Sequence, residues 1–348
     1  MKNIYLLIFF SSFGIMAMCQ EPKRDSVSKA VDEYVKTVNI AADKFLNTQL
    51  STGQRLNAIS PYSYIYDESQ IERFKKVVQS QEEKPEIRAM ALNKIYQAVG
   101  NDEKFQNLVI RWFESPSTPQ PLRDETLNFV ETFSFSTLRS PLDSYQKMTD
   151  DPDPDFRAFA VSKLILSGDE RTQQMLIKGL ENPSAARFEP SFAIELLSLS
   201  PKKEFYPAVY KVLLETRDEA VRLSALQVLG PYKPAREKLI AISLDPNEKE
   251  PYRESALLAL YSGDKENIVK YVMPLLQDKS ASGRLQAIGI QIMISTRESM
   301  AYRRSKKAKK ADDLDRLIRS IKEGKGTNNS AEVTSIAEKY LLLVRPNF

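Results

Sequence analysis

Apolar residues recur every three to four positions along most of the chain, the spacing of helices with one buried face. Residues 30–50 carry the first such stripe, in Val31, Val35, Val38, Ala42, Phe45 and Leu46, and Ser51-Thr52-Gly53 reads as its end. The next stretch differs. Tyr62, Tyr64 and Tyr66 alternate with Ser63 and Ile65, which predicts an extended segment packed across the end of a helical array. From about Ser69 the helical stripes come in pairs. Trp112 and Phe113, and runs such as Leu176, Ile177, Leu180 and Val209, Val212, Leu213, are the cores of first helices. Residues 298–323 predict a longer charged helix, 325–330 a polar loop, and Val333, Ile336, Ala337, Tyr340, Leu341 and Val344 a last amphipathic helix.

The second helix of each pair carries a recurring motif: an Arg, a small residue three positions on, then an aliphatic residue. Arg88-Ala91-Leu92 is followed by copies at Arg123, Arg157, Arg222, Arg253 and Arg284. Pro190-Ala193-Ile194 keeps all but the Arg, and successive copies lie 31 to 35 residues apart. Such a period predicts stacked supersecondary units. The small residue fits a place where two helices approach closely. Gly100, Gly168 and Gly263 are expected to supply left-handed helix ends, each followed by a capping Asp: Asp102, Asp169 and Asp264. Asp151-Pro152, Asn182-Pro183 and Asp245-Pro246 predict turns, because a residue before Pro avoids the helical region.

Over residues 69–300 this pattern resembles HEAT repeats of the short phycobilisome-lyase type. Ser255-Ala256-Leu257-Leu258-Ala259-Leu260-Tyr261-Ser262-Gly263-Asp264 is the copy that fits best. The resemblance implies an all-α solenoid of about seven two-helix repeats with extra terminal helices. It also implies that the repeated Arg bridges to an acidic residue in a neighbouring unit, with Asp102, Asp169 and Asp264 as candidates. A row of ligand-binding Arg on the concave face is the other reading.

Composition adds limits. Only 11 Gly in 348 residues leans toward helix. A net charge of +4 gives no general pull toward nucleic acid or anionic membrane, so no nucleic-acid partner is expected. The chain has no His, and cleavage after its one Cys, Cys19, would leave none in the mature chain; together these absences exclude His- or Cys-based metal sites, Cys nucleophiles and Ser-His triads. Neither a phosphate loop nor a dinucleotide fingerprint is present, and no cofactor is expected.

Residues 1–19 read as an export signal: Lys2, an apolar run from Ile4 to Met18, then Ala17-Met18-Cys19. The run is short for a membrane span. Cleavage after Cys19 leaves Gln20 first and no Cys in the mature chain; alternatively Cys19 is lipidated, the one route to membrane attachment. Two modification signals are present, Asn328-Asn329-Ser330 and Asp25-Ser26-Val27.

The remaining candidate surface is Arg303, Arg304, Lys306, Lys307, Lys309 and Lys310. On a helix Arg303, Lys306, Lys307 and Lys310 share the face that Leu314, Leu317, Ile318 and Ile321 continue. Lys309 and Asp313, four apart, offset each other in part. The run is either a solvated helix or a contact for an acidic partner or anionic surface.

The expected organisation is a signal (1–19), an N-terminal helix and connector (20–68), the repeat array (69–300) and a C-terminal charged and capping region (301–348). The expected role is a non-catalytic protein-binding scaffold or adaptor in a bacterial periplasm or at a cell surface, built on the concave face of the array. An enzyme or lyase-like activity on the same scaffold, or an envelope-anchored structural protein, are the alternatives.

Overall fold

A computed structural model describes residues 24–133, 142–278, 280–298, 312–325 and 330–344. All regular structure among them is helical. The chain falls into two compact units, the first ending at Phe156 and the second starting at Arg157. The first unit contains α1 (Arg24–Leu46), α2 (Thr52–Ile59), α3 (Glu68–Gln79), α4 (Pro85–Val99), α5 (Glu103–Glu114), α6 (Gln120–Phe133) and α7 (Leu142–Lys147). α8 (Pro154–Leu166) carries the boundary, and the second unit continues with α9 (Glu170–Glu181), α10 (Pro190–Ser198), α11 (Tyr206–Glu215), α12 (Glu219–Val228), α13 (Arg236–Leu244), α14 (Glu250–Gly263), α15 (Ile268–Gln277), α16 (Gly283–Glu298), α17 (Asp312–Lys322) and α18 (Ala331–Val344).

Within each unit the helices stack in neighbouring pairs. In the first unit α3 packs on α4 and α5 on α6, while the second helices α2, α4 and α6 form a row of their own. In the second unit α11 packs on α12, α13 on α14 and α15 on α16, and α10, α12, α14 and α16 form the corresponding row. Each second helix thus touches its partner and its counterpart in the next pair, the all-α solenoid arrangement expected from the period. One buried cluster fills the first unit from Val38 to Phe129. Another runs through the second from Val161 to Leu341.

Local sequence explains the boundaries. Asp102, Asp169 and Asp218 each accept a hydrogen bond from the backbone N–H three residues on, satisfying donors that a helix start leaves open. Pro85, Pro154 and Pro190 occupy first helical positions, where a missing N–H costs nothing. Ser51 was expected to end the first helix; it instead opens α2 with a capping box shared with Gln54. The predicted turns at Asp151, Asn182 and Asp245 all lie between helices.

The glycines divide differently from expectation. Gly168 takes the left-handed conformation, at φ 80°, but Gly100 is right-handed at φ −60° and Gly263 is the last residue of α14. What Gly263 provides is proximity: a Cβ there would overlap the carbonyl of Gly230, and one on Gly230 would overlap the carbonyl of Ala259. Two backbones meet here, with the Ser262 hydroxyl beside Gly230. Asp264 caps no helix; it accepts from the Tyr271 hydroxyl at 2.7 Å and pairs with Arg236 at 3.3 Å. Burial, then that hydrogen bond, pushes the Tyr271 hydroxyl up to about 12.

At the C-terminal end, Tyr340 is fully buried and donates to Asp315 at 2.6 Å, while Arg297 reaches both. This knot ties α16, α17 and α18 together. Burial, and then the bond to Asp315, raises the Tyr340 hydroxyl far above the ordinary phenol value.

A row of arginine clasps and one open cleft

The repeated Arg is the fourth residue of its helix in α4, α6, α8, α12 and α14. From that position it reaches backward and forward. Backward, the Nε of Arg88, Arg123 and Arg253 donates to the carbonyl ten residues earlier: Val78 at 2.9 Å, Phe113 at 3.3 Å and Ser243 at 3.2 Å. Each carbonyl belongs to the next-to-last residue of the preceding helix. The last carbonyls of a helix have no internal partner, and the negative end of its dipole favours a cation there. Forward, the terminal guanidinium nitrogens take a carboxylate from the turn of the following pair. Arg123 holds Asp151, Arg222 holds Glu248, and Arg253 holds Asp278 at 2.8 Å. An aromatic ring often completes the grip, with Phe156 at 4.0 Å from Arg123 and Tyr252 at 4.5 Å from Arg222.

Asp102 and Asp264 are therefore not these Arg partners, and Asp169 serves as a helix cap. Asp102 pairs with Lys75, and the acceptors are Asp151, Glu248 and Asp278, at the other end of each pair. Burial alone would raise the Asp278 carboxyl, but hydrogen bonds from Ser280 and Arg253 outweigh it and hold the group below its usual value.

The clasp also extends beyond the expected copies. Arg55, fourth in α2, donates to the Phe45 carbonyl at 2.6 Å and to Glu83 at 2.7 Å. Arg55-Ala58-Ile59 is a full motif ahead of residue 69. In α16 the fourth residue is Gln286, which reaches the Asp278 carbonyl at 3.4 Å; Arg284 sits two residues early and pairs with Glu254 on the surface. The close-approach residue of that helix is Gly289, against Leu275 and Val272. In α10 the fourth place falls to Ala193, because Pro190 is the first.

Arg88 breaks the row. It is buried and holds the Val78 carbonyl, and its guanidinium lies 5.2 Å from the Trp112 ring centre. Among the described residues it has no carboxylate partner. The turn that should supply one reads Ser115-Pro116-Ser117-Thr118-Pro119. Thr118 stands two residues before α6, the place that Glu83 and Glu248 hold before α4 and α14. An open cleft of about 460 Å³ occupies the spot, lined by Arg88, Arg111, Trp112, Ser115, Ser117 and Thr118 among others. Burial pushes the Arg88 guanidinium below its ordinary value, the direction expected of a cation lacking a counter-ion.

A second polar cluster lies nearby in the sequence. Asn93 donates to Glu125 at 2.9 Å and Tyr96 to the Glu125 carbonyl at 3.0 Å, with Lys94 on the same helix. Burial raises the Glu125 carboxyl and lowers the Lys94 ammonium, each tempered by the other's charge. Because the folded carboxyl binds its proton more tightly than the unfolded one, Glu125 makes the fold less stable as pH rises from the ordinary carboxylate range. Glu125→Gln should therefore raise Tm at about pH 7, with the gain vanishing toward about pH 4. A pH series of thermal melts checks this; a uniform loss at every pH would refute it.

Of the other residues singled out by sequence, Arg303, Arg304, Lys306, Lys307, Lys309, Lys310 and Cys19 lie outside the described residues. Tyr62, Tyr64 and Tyr66 lie in the predicted non-helical segment, which threads Ile65 into the first unit's core and bonds its N–H to the Lys94 carbonyl at 2.9 Å. Phe113 is fully buried, as expected, but Trp112 is only half-buried and forms a cleft wall. Among the described residues no acidic cluster could hold a metal ion, and no helix is long and apolar enough to cross a membrane. No known family model and no curated protein matches the chain.

Proposed function

We propose that the protein is a non-catalytic, protein-binding scaffold or adaptor of the HEAT-like kind, working in the cell envelope after export. The single observation that supports this most is the Arg88 cleft. It joins a half-buried Trp, two Arg side chains and Ser hydroxyls at an open edge between helix pairs. Trp and Arg are the residues that most often dominate protein–protein binding energy. Stacked pairs extend such an edge into a long surface suited to an extended partner. The exported location rests on the apolar leader ending at Cys19.

Photo-cross-linking in the cells that make the protein tests the reading. Cross-linkers at the exposed positions Arg111 and Lys238 should capture one protein reproducibly from at least one of them. No reproducible protein adduct from either position would refute it.

A further inference from the structure

The geometry points to the Arg88 cleft as a receptor for a carboxylate side chain of a polypeptide partner. This rests on the scaffold reading above and says what the scaffold recognises. The protein supplies its own template for the bound state. In four other pairs the same Arg is closed by a Glu or Asp on a turn: Glu83 on Arg55, Asp151 on Arg123, Glu248 on Arg222 and Asp278 on Arg253. Three of these closures, at Arg55, Arg123 and Arg222, are bidentate. At Arg88 the rest of the clasp is in place: the Nε is fixed by Val78 and the guanidinium is set against the Trp112 ring. Arg88 lines a cleft at the place where Arg55, Arg123, Arg222 and Arg253 each meet a carboxylate. Thr118 is too short and carries no charge. An incoming Glu or Asp meets a guanidinium already desolvated and oriented, so little is lost in ordering it. Arg111 adds a second positive charge on the wall, and Ser115 and Ser117 bring hydroxyls to the rim. The occupants of the equivalent places are turn carboxylates on a peptide backbone, which favours a polypeptide as the source.

Trp112 is the single Trp of the chain and lies against the site, so its emission reports binding. The probe is the acetylated, amidated tetrapeptide Pro-Asn-Glu-Lys, a copy of residues 246–249, whose Glu248 closes on Arg222. Titrated into the full chain, it should change Trp112 emission saturably, and the effect should weaken with added salt. The same peptide with Gln for Glu should bind roughly tenfold to a hundredfold more weakly. A response only to a free C-terminal carboxylate, or only to inorganic phosphate, overturns the assignment. Removing Arg88 could unfold the pair, so the decisive variant adds a group instead. Thr118→Glu should close the clasp from within, raise Tm by about 2–4 °C and abolish the peptide response. A T118E protein that melts no higher than wild type, or still answers to the peptide, refutes the inference. A silent titration beside a reproducible Arg111 cross-link retires this inference alone; loss of every cross-link retires the scaffold reading itself.

Discussion

Arg123→Met lowers the stability of the first unit by about 3–5 kcal/mol, the expected cost of breaking a buried ion pair from one side. Both partners are about as buried as charged side chains become, each 2% exposed. The substitution strands the Asp151 carboxylate without its cation and leaves the Phe113 carbonyl without the Arg123 donor. It also removes the cation from the Phe156 ring. Urea unfolding followed by Trp112 emission reads the loss in the unit that contains it. Removing the second charge as well, in Arg123→Met with Asp151→Asn, should recover part of the stability, because the residual penalty is an unpaired buried charge. A single substitution within about 1 kcal/mol of wild type would mean that the clasps contribute little.

Gly263→Ala distinguishes two views of one glycine by sign. If Gly263 were an ordinary helical residue, Ala would stabilise the helix by about 0.5–1 kcal/mol. The Cβ would instead run into the Gly230 carbonyl, and backbone cannot swing aside as a flexible side chain can. Destabilisation of about 1–3 kcal/mol, the usual cost of overpacking, is expected. Thermal melts followed by circular dichroism give the answer. A rise in Tm would show that α14 and the turn after α12 have room to separate. Gly53, which has open space around it, serves as the control, and its replacement by Ala should lack this penalty.

The pairing of helices was legible because burial imposes a 3.6-residue period, and the repeated Arg marked each second helix. What the Arg holds was not legible. Its partners lie 25 to 28 residues downstream, in turns whose acidic residue shifts from Glu83 to Asp151 to Glu248 to Asp278 with no fixed offset from the helix start. The Gly-Asp steps drew attention because they are regular, yet Asp102 and Asp169 serve as caps, a local task that needs a fixed offset. Arg284 misled for a related reason: it carries the expected residue type, whereas Gln286 and Gly289 carry the expected positions. Arg55 follows a single long helix, ahead of the paired stripes that mark the array in the sequence. Trp112 was read as core from the apolar run around it, and only the missing carboxylate of the next turn leaves its face open.

The reach of each clasp has a consequence for how such a chain can grow. Arg55, Arg123 and Arg253 each bind the helix end just before them and the turn of the pair just after. Removing one whole period, cut at matching points, therefore leaves each such Arg with a carbonyl behind and a turn ahead. The same holds for inserting one. Length in this architecture is a countable variable, free to change by duplication or loss of a pair without redesign of the neighbours.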